Sequence, residues 1–123
     1  MSEHFKNDEI ECSCGCGTNN VSDILMSKAD KVRDILNRPL IAESICRCRQ
    51  YNYSKDYSET SSHIADDIKE SEAIDFRATT SKERFEVVSA MIEAGFTRIG
   101  IAKTFIHGDI DKSKAQELIF LYS

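Results

Sequence analysis

Two of the three histidines, His63 in Ser61-Ser62-His63 and His107 in Phe105-Ile106-His107-Gly108-Asp109, bracket an Ala73-Ile74-Asp75 segment. No other feature restricts the fold so strongly, because three residues this far apart in sequence meet only if three separate elements converge. Two neutral imidazoles and one carboxylate at one point leave a fourth tetrahedral position open, the ligand set of a catalytic rather than a structural zinc. Polar histidines at strand ends account for the same spacing, so position alone leaves both readings standing. His4 lies near the N-terminus, in a stretch expected to be mobile.

A chain of 123 residues corresponds to one domain, 1–123, large enough to build a core without staples. The net charge of -5 argues against nucleic acid as a partner, since phosphate binding needs clustered Lys and Arg and Arg47-Cys48-Arg49 is too short a cluster. No apolar run approaches the roughly 20 residues of a membrane span. The first residues carry neither a basic stretch nor an apolar one, which leads us to expect cytosolic synthesis without a secretory signal. Oligomeric state leaves no mark in the pattern.

The five cysteines fall into a Cys12, Cys14, Cys16 group and a Cys46, Cys48 group. Free thiols, a disulfide between the groups and a structural metal are all open readings; Cys-x-Cys spacing fits the usual Cys-x(2-4)-Cys loop poorly, and a reducing cytosol disfavours the disulfide.

Apolar residues at helical spacing predict a first helix over 20–37, capped by Ser22 and followed by Pro39. Val21, Ile24, Leu25, Val32, Ile35 and Leu36 form its apolar positions. Residues 40–46 read as a strand and 50–69 as a long polar loop carrying His63 at its far end. In the strand 73–78, Asp75 and Arg77 face one way and Ile74 and Phe76 the other. Thr80 and Glu83 form a capping box opening a helix to Ala94, with Phe85, Val88, Met91 and Ile92 expected inside and Gly95 at its end. Strands over 98–102 and 105–107 form a hairpin around Lys103-Thr104, and 112–122 reads as a short final helix. The fold class is therefore α+β, with a small, mainly antiparallel sheet and flanking helices.

Over nearly its whole length the chain resembles the M15 zinc peptidases, in the compact group of D-alanyl-D-alanine carboxypeptidases and phage peptidoglycan endopeptidases. The opening Phe5, Glu9 and Cys12-Ser13-Cys14-Gly15-Cys16-Gly17, forming a Cys-rich segment over 1–19, are similar to that group's N-terminal stretch. Ser44-Ile45-Cys46-Arg47-Cys48 resembles its Ser-Gly-Tyr-Arg-Cys segment. Ser62-His63 and Ala73-Ile74-Asp75 look like the halves of Ser-x-His-x-x-Gly-x-Ala-x-Asp, and Ile99-Gly100-Ile101 with His107-Gly108-Asp109 like the closing motif.

The resemblance implies a Hedgehog/DD-peptidase-like fold and zinc held by His63, Asp75 and His107. Arg47 would orient substrate or stabilise the oxyanion, with Ser62 beside the substrate. Zinc would lower the pKa of its bound water, and a carboxylate would take the proton. Relatives often carry that carboxylate three residues before the last histidine, where this chain has Thr104; Asp109 is the substitute, as base or as the group that orients His107. The His63-to-Asp75 interval is longer than the motif's, with extra residues in 65–71, and makes Glu70 the second-choice ligand. Ile45 replaces a glycine. The implied activity is hydrolysis of a peptidoglycan stem-peptide amide next to a D-amino acid, by a phage- or prophage-encoded enzyme released to the cell wall or carried on a virion. A catalytically degenerate zinc-binding module of the same fold is the alternative.

Overall fold

Residues 2–122 are described by the computed structural model. Its elements run α1 (Asn7–Ile10), α2 (Asp23–Leu36), β1 (Ala42–Ser44), α3 (Arg49–Ser54), β2 (Ala73–Arg77), α4 (Ser81–Ala94), β3 (Arg98–Ile101), β4 (Phe105–Asp109) and β5 (Leu118–Leu121). The five strands form one sheet in the order β1-β2-β4-β3-β5. Every pairing is antiparallel except β3 with β5. This is the α+β class expected, and among the described residues no helix is long and apolar enough to cross a membrane.

Local chemistry sets the two long helices. The Ser22 hydroxyl accepts from the Leu25 amide, and α2 ends at Asn37, whose positive φ closes the last turn before Pro39. The Thr80 and Glu83 side chains satisfy free amides reciprocally at the start of α4, and Gly95 turns left-handed at its end.

The helices pack on each other and on one face of the sheet. Strand alternation sends Ile74, Phe76 and Ile106 into that layer, all fully buried, and leaves Asp75, His107 and Asp109 on the opposite face. Gly108 is the close approach that lets α4 settle: a Cβ there would meet Met91 Cε and the Phe96 ring.

Several expectations are corrected. The segment 112–122 is not a helix; Leu118 to Leu121 pair in parallel with β3, extending the sheet by its own backbone hydrogen bonds. A short apolar run of β-branched and aromatic residues has no periodicity that separates the two states, and an available strand edge decides it. The polar stretch after Gln50 is not wholly loop, because α3 occupies its start with the Cys48 sulfur accepting from the Tyr51 amide. The strand expected over 40–46 shortens to β1, whose register slips between Ala42 and Ser44.

The helix faces also differ from expectation. Phe85 is 74% exposed and Ile92 56%, while Val87, Ala90, Met91 and Ala94 are buried. In α2, Met26 and Ala29 are buried and Ile24 is 65% exposed. Small side chains let the helices close on each other, which a ranking by hydrophobicity misses. From Ser2 onward the N-terminal segment is anchored rather than loose: Phe5 is buried, and the Ser2 hydroxyl and the Glu3 and His4 amides all donate to Asp30.

Candidate metal centre

Register brings the first two ligands together without any loop. Asp75 on β2 lies directly opposite His107 on β4, on the face away from the helices. The His107 Nδ1 is 2.9 Å from Asp75 Oδ1. His63 arrives by a different device: its carbonyl accepts from the Arg47 amide and the Ala65 amide donates to the Arg47 carbonyl, a parallel bridge that fixes its backbone against the segment after β1. Its Nε2 then sits 3.2 Å from Asp75 Oδ1. The three ligand atoms lie within 4.8 Å of one another, and all three residues are buried.

The far side of each imidazole decides which nitrogen is free. His63 Nδ1 is 2.9 Å from the Ile45 carbonyl, which can only accept, so the proton is on Nδ1 and the Nε2 lone pair points at Asp75. His107 Nε2 is 2.7 Å from Asp109 Oδ2, which leaves Nδ1 for the centre. A carboxylate or carbonyl behind each ring is how proteins orient metal-binding histidines. The donor chemistry, two imidazole lone pairs and one carboxylate oxygen, therefore fits zinc with an open position.

Electrostatics hold the carboxylate ionised. Burial alone would raise the Asp75 pKa, but His63 and His107, by charge and hydrogen bond, hold it well below the usual carboxylate range. Burial lowers the His63 pKa despite Asp75, keeping that ring neutral. Burial also works against charge on His107, but its bonds to Asp109 and Asp75 outweigh it, and its pKa is raised. A cation at the centre would replace the proton that His107 otherwise attracts.

Around the ligands is a cleft of about 570 Å³, with Arg47, Tyr57, Ser62, Phe120 and Tyr122 among its walls. Arg47 Nη2 is 3.6 Å from Asp75 Oδ2, and its guanidinium carbon lies 4.2 Å from the centre of the Tyr57 ring. The Ser44, Asn52 and Ser61 side chains accept from its remaining nitrogens. Ser62 is buried in the wall, donating to Asp111 Oδ2 at 2.7 Å and accepting from Lys114.

Asp109 stands behind His107 with both oxygens engaged. Oδ2 accepts from Arg98 Nε at 3.0 Å as well as from His107, and Oδ1 accepts from the Asp111 amide. Thr104 is exposed in the β3–β4 turn, and Glu70 is exposed outside the ligand group. Ile45 needs no glycine-only conformation, since its φ is not positive, and its buried side chain joins the core.

Sequence reasoning missed Arg98, Tyr57, Phe120 and Tyr122. The first signals its role only through its strand position, two residues from Gly100 and across from Asp109. Phe120 and Tyr122, whose rings lie 5.8 and 6.2 Å from His107, were hidden by the helical reading of 112–122.

A small α+β sheet thus places a His, Asp, His group that could hold a metal ion at the floor of a cleft lined by polar and aromatic side chains. The chain belongs to the Peptidase M15 family, whose profile matches residues 3–109, and so is a member of a peptidase family. No curated protein and no solved structure matches it.

Proposed function

We propose that this protein is a zinc-dependent peptidase that hydrolyses a peptidoglycan stem-peptide amide next to a D-amino acid. The observation that carries the reading is the convergence of His63 Nε2, His107 Nδ1 and an Asp75 oxygen, each imidazole held from behind in the tautomer that ligation requires. Zinc, when bound, supplies Lewis acidity and lowers the pKa of water. The M15 resemblance supplies the substrate class, and a cleft lined by polar and aromatic side chains is compatible with it.

The chain's own groups divide the remaining work. Arg47 presents a fixed guanidinium, braced by Ser44, Asn52, Ser61 and the Tyr57 ring, as a donor to a substrate carbonyl or carboxylate. We assign Asp109 to positioning His107 rather than to proton transfer, because its oxygens already serve three donors. Of the carboxylates lining the cleft, Glu43, Asp75 and Asp109, only Glu43 is not buried. It sits where the β1 register slips, a local irregularity of the kind that re-aims side chains near active sites, and it is ion-paired with Arg77. Glu43 is the general base of this reading.

The absence of a carboxylate at Thr104 favours a second reading, a zinc-binding module of the same fold without hydrolytic activity. Zinc content and muropeptide hydrolysis of the parent, Glu43→Gln and His107→Ala proteins separate the two. The first reading expects Glu43→Gln to keep its zinc and lose about 10²–10⁴-fold in rate. Zinc in the parent that His107→Ala loses, without any turnover, establishes the second. A phage or prophage origin, with release to the cell wall or carriage on a virion, completes the proposal.

A further inference from the structure

The centre in the cleft uses no cysteine, yet four of the five thiols meet at another point. Cys12, Cys14 and Cys16, from the loop after α1, and Cys48, at the start of α3, place their sulfurs within 4.8 Å of one another. The Cys12 and Cys14 sulfurs are 3.5 Å apart, and those of Cys14 and Cys48 3.7 Å. A tetrahedral zinc with Zn–S bonds of about 2.3 Å requires its sulfurs to be about 3.8 Å apart. Two of the sulfur pairs therefore already stand close to the edge length of a zinc-thiolate tetrahedron, and none has the roughly 2.0 Å separation of a bonded pair.

Cys-x-Cys-x-Cys spacing is tighter than common zinc loops, and the backbone makes up the difference. Gly15 and Gly17 both adopt positive φ, at 85° and 84°, folding the segment so that three alternate side chains turn to one side. The Cys12 amide donates to the Thr18 carbonyl and the Gly15 amide to the Cys12 carbonyl, closing the loop on itself. Amides also point at the sulfurs: Cys48 N–H donates to Cys12 Sγ at 3.4 Å, and Tyr51 N–H to Cys48 Sγ at 3.3 Å. The remaining thiol, Cys46, lies apart, 3.6 Å from the Asn20 carbonyl.

We propose that Cys12, Cys14, Cys16 and Cys48 hold a second, structural zinc ion that pins the N-terminal segment beside Arg47. Four protein sulfurs fill the coordination sphere, so this site is closed where the one in the cleft is open. Its value to the molecule lies in what it joins. Cys48 follows Arg47 directly, Ser13 lines the cleft, and the Cys46 amide donates to the Ile10 carbonyl, so the ion and the backbone clamp both sides of the arginine. Without the ion, that clamp is reduced to backbone hydrogen bonds.

The test uses the full chain with the first site removed. A His63→Ala, His107→Ala protein purified with zinc is expected to retain one equivalent, with an X-ray absorption spectrum fitted by sulfur ligands alone. Cobalt exchanged into the parent chain is expected to show a thiolate-to-metal charge-transfer band, which needs no variant to fold. Adding Cys14→Ser and Cys16→Ser, both at exposed positions, should abolish the retained equivalent and the band. Loss of all metal from the histidine variant, with no charge-transfer band in the cobalt parent, overturns the proposal. So does iron in place of zinc, an intact mass lower by two hydrogens from a disulfide, or zinc retained after the serine substitutions.

Discussion

Asp109→Asn separates positioning from proton transfer with one atom. In the parent, Asp109 Oδ2 accepts from His107 Nε2 and Arg98 Nε, and Oδ1 from the Asp111 amide. An amide has only one oxygen. If it faces His107, the new NH2 meets the Asp111 N–H donor; if the amide flips, NH2 meets His107 Nε2 and pushes the ring proton to Nδ1, the ligand atom. Either outcome disfavours the ligating tautomer or leaves a buried donor unmatched. Loss of such a partner weakens metal binding by about 10–100-fold, or roughly 1.4–2.7 kcal/mol. Competition against a fluorescent zinc chelator at fixed pH, in a Cys14→Ser, Cys16→Ser background that leaves only the cleft site, reads this directly. Stability should fall by about 1–3 kcal/mol as Arg98, half-buried and otherwise held by its bond to the Ala115 carbonyl and its stacking on Phe120, loses its counter-ion. Zinc affinity within about twofold of the parent, together with a rate loss of about 10²–10⁴-fold, would refute the reasoning and make Asp109 the base.

Two further outcomes follow from the same geometry. Gly100 lies opposite His107, and a Cβ there would stand 2.5 Å from Phe120 Cε2 and 2.7 Å from Tyr122 Cε1; Gly100→Ala should cost about 1–3 kcal/mol by overpacking, and an unchanged Tm would show that β5 moves freely. Burial alone would raise the Asp111 pKa, but bonds from Ser113 and Ser62 hold it below its ordinary 3.8. A depressed carboxylate contributes stability above the unfolded pKa and loses it as pH falls through the folded one. Asp111→Asn should therefore lower Tm at neutral pH, by about 1–2 kcal/mol equivalent, with the gap to the parent closing below pH 3.8; a gap that is constant down to pH 2 contradicts this.

What the sequence made legible was local. Ser22, the Thr80/Glu83 pair and the alternation of Ala73-Ile74-Asp75-Phe76-Arg77 each act within a few residues, and α2, α4 and β2 formed where those signals stand. What it concealed was relational. Phe85 and Ile92 were expected inside because they are large and apolar, but Ala29, Ala90 and Ala94 are buried instead, where two helices come close. The parallel pairing of β5 with β3 joins Arg98 to Leu118 and brings Phe120 beside the site, and no pattern within 112–122 encodes a partner strand. The ligand set was readable by residue type; the group that orients His107, and the aromatic wall beside it, depended on cross-strand neighbours.

The long His63-to-Asp75 interval shows why spacing is the weaker guide to such a site. The Ile45 carbonyl lies 2.9 Å from His63 Nδ1 and accepts from the Ser71 hydroxyl at 2.7 Å, so one atom anchors both ends of the intervening loop. Between those ends residues 66–70 turn outward. Asp66 Oδ1 accepts from the Ile68 and Lys69 amides, and the Asp66 amide donates to the Lys69 carbonyl, which closes a surface turn that Asn20 and Arg49 hold from outside. Ser71 is then tied by backbone hydrogen bonds to Asn20 and Ser22, two residues before β2 begins. Loop-closure entropy grows only slowly with length, so residues added between fixed anchors perturb little. The ligands therefore keep their positions whatever the loop holds, and Glu70, which a fixed seven-residue count selects, is carried out to the surface. The invariant that defines this centre is the shared anchor at Ile45 and the Asp75–His107 register, not the number of residues between them.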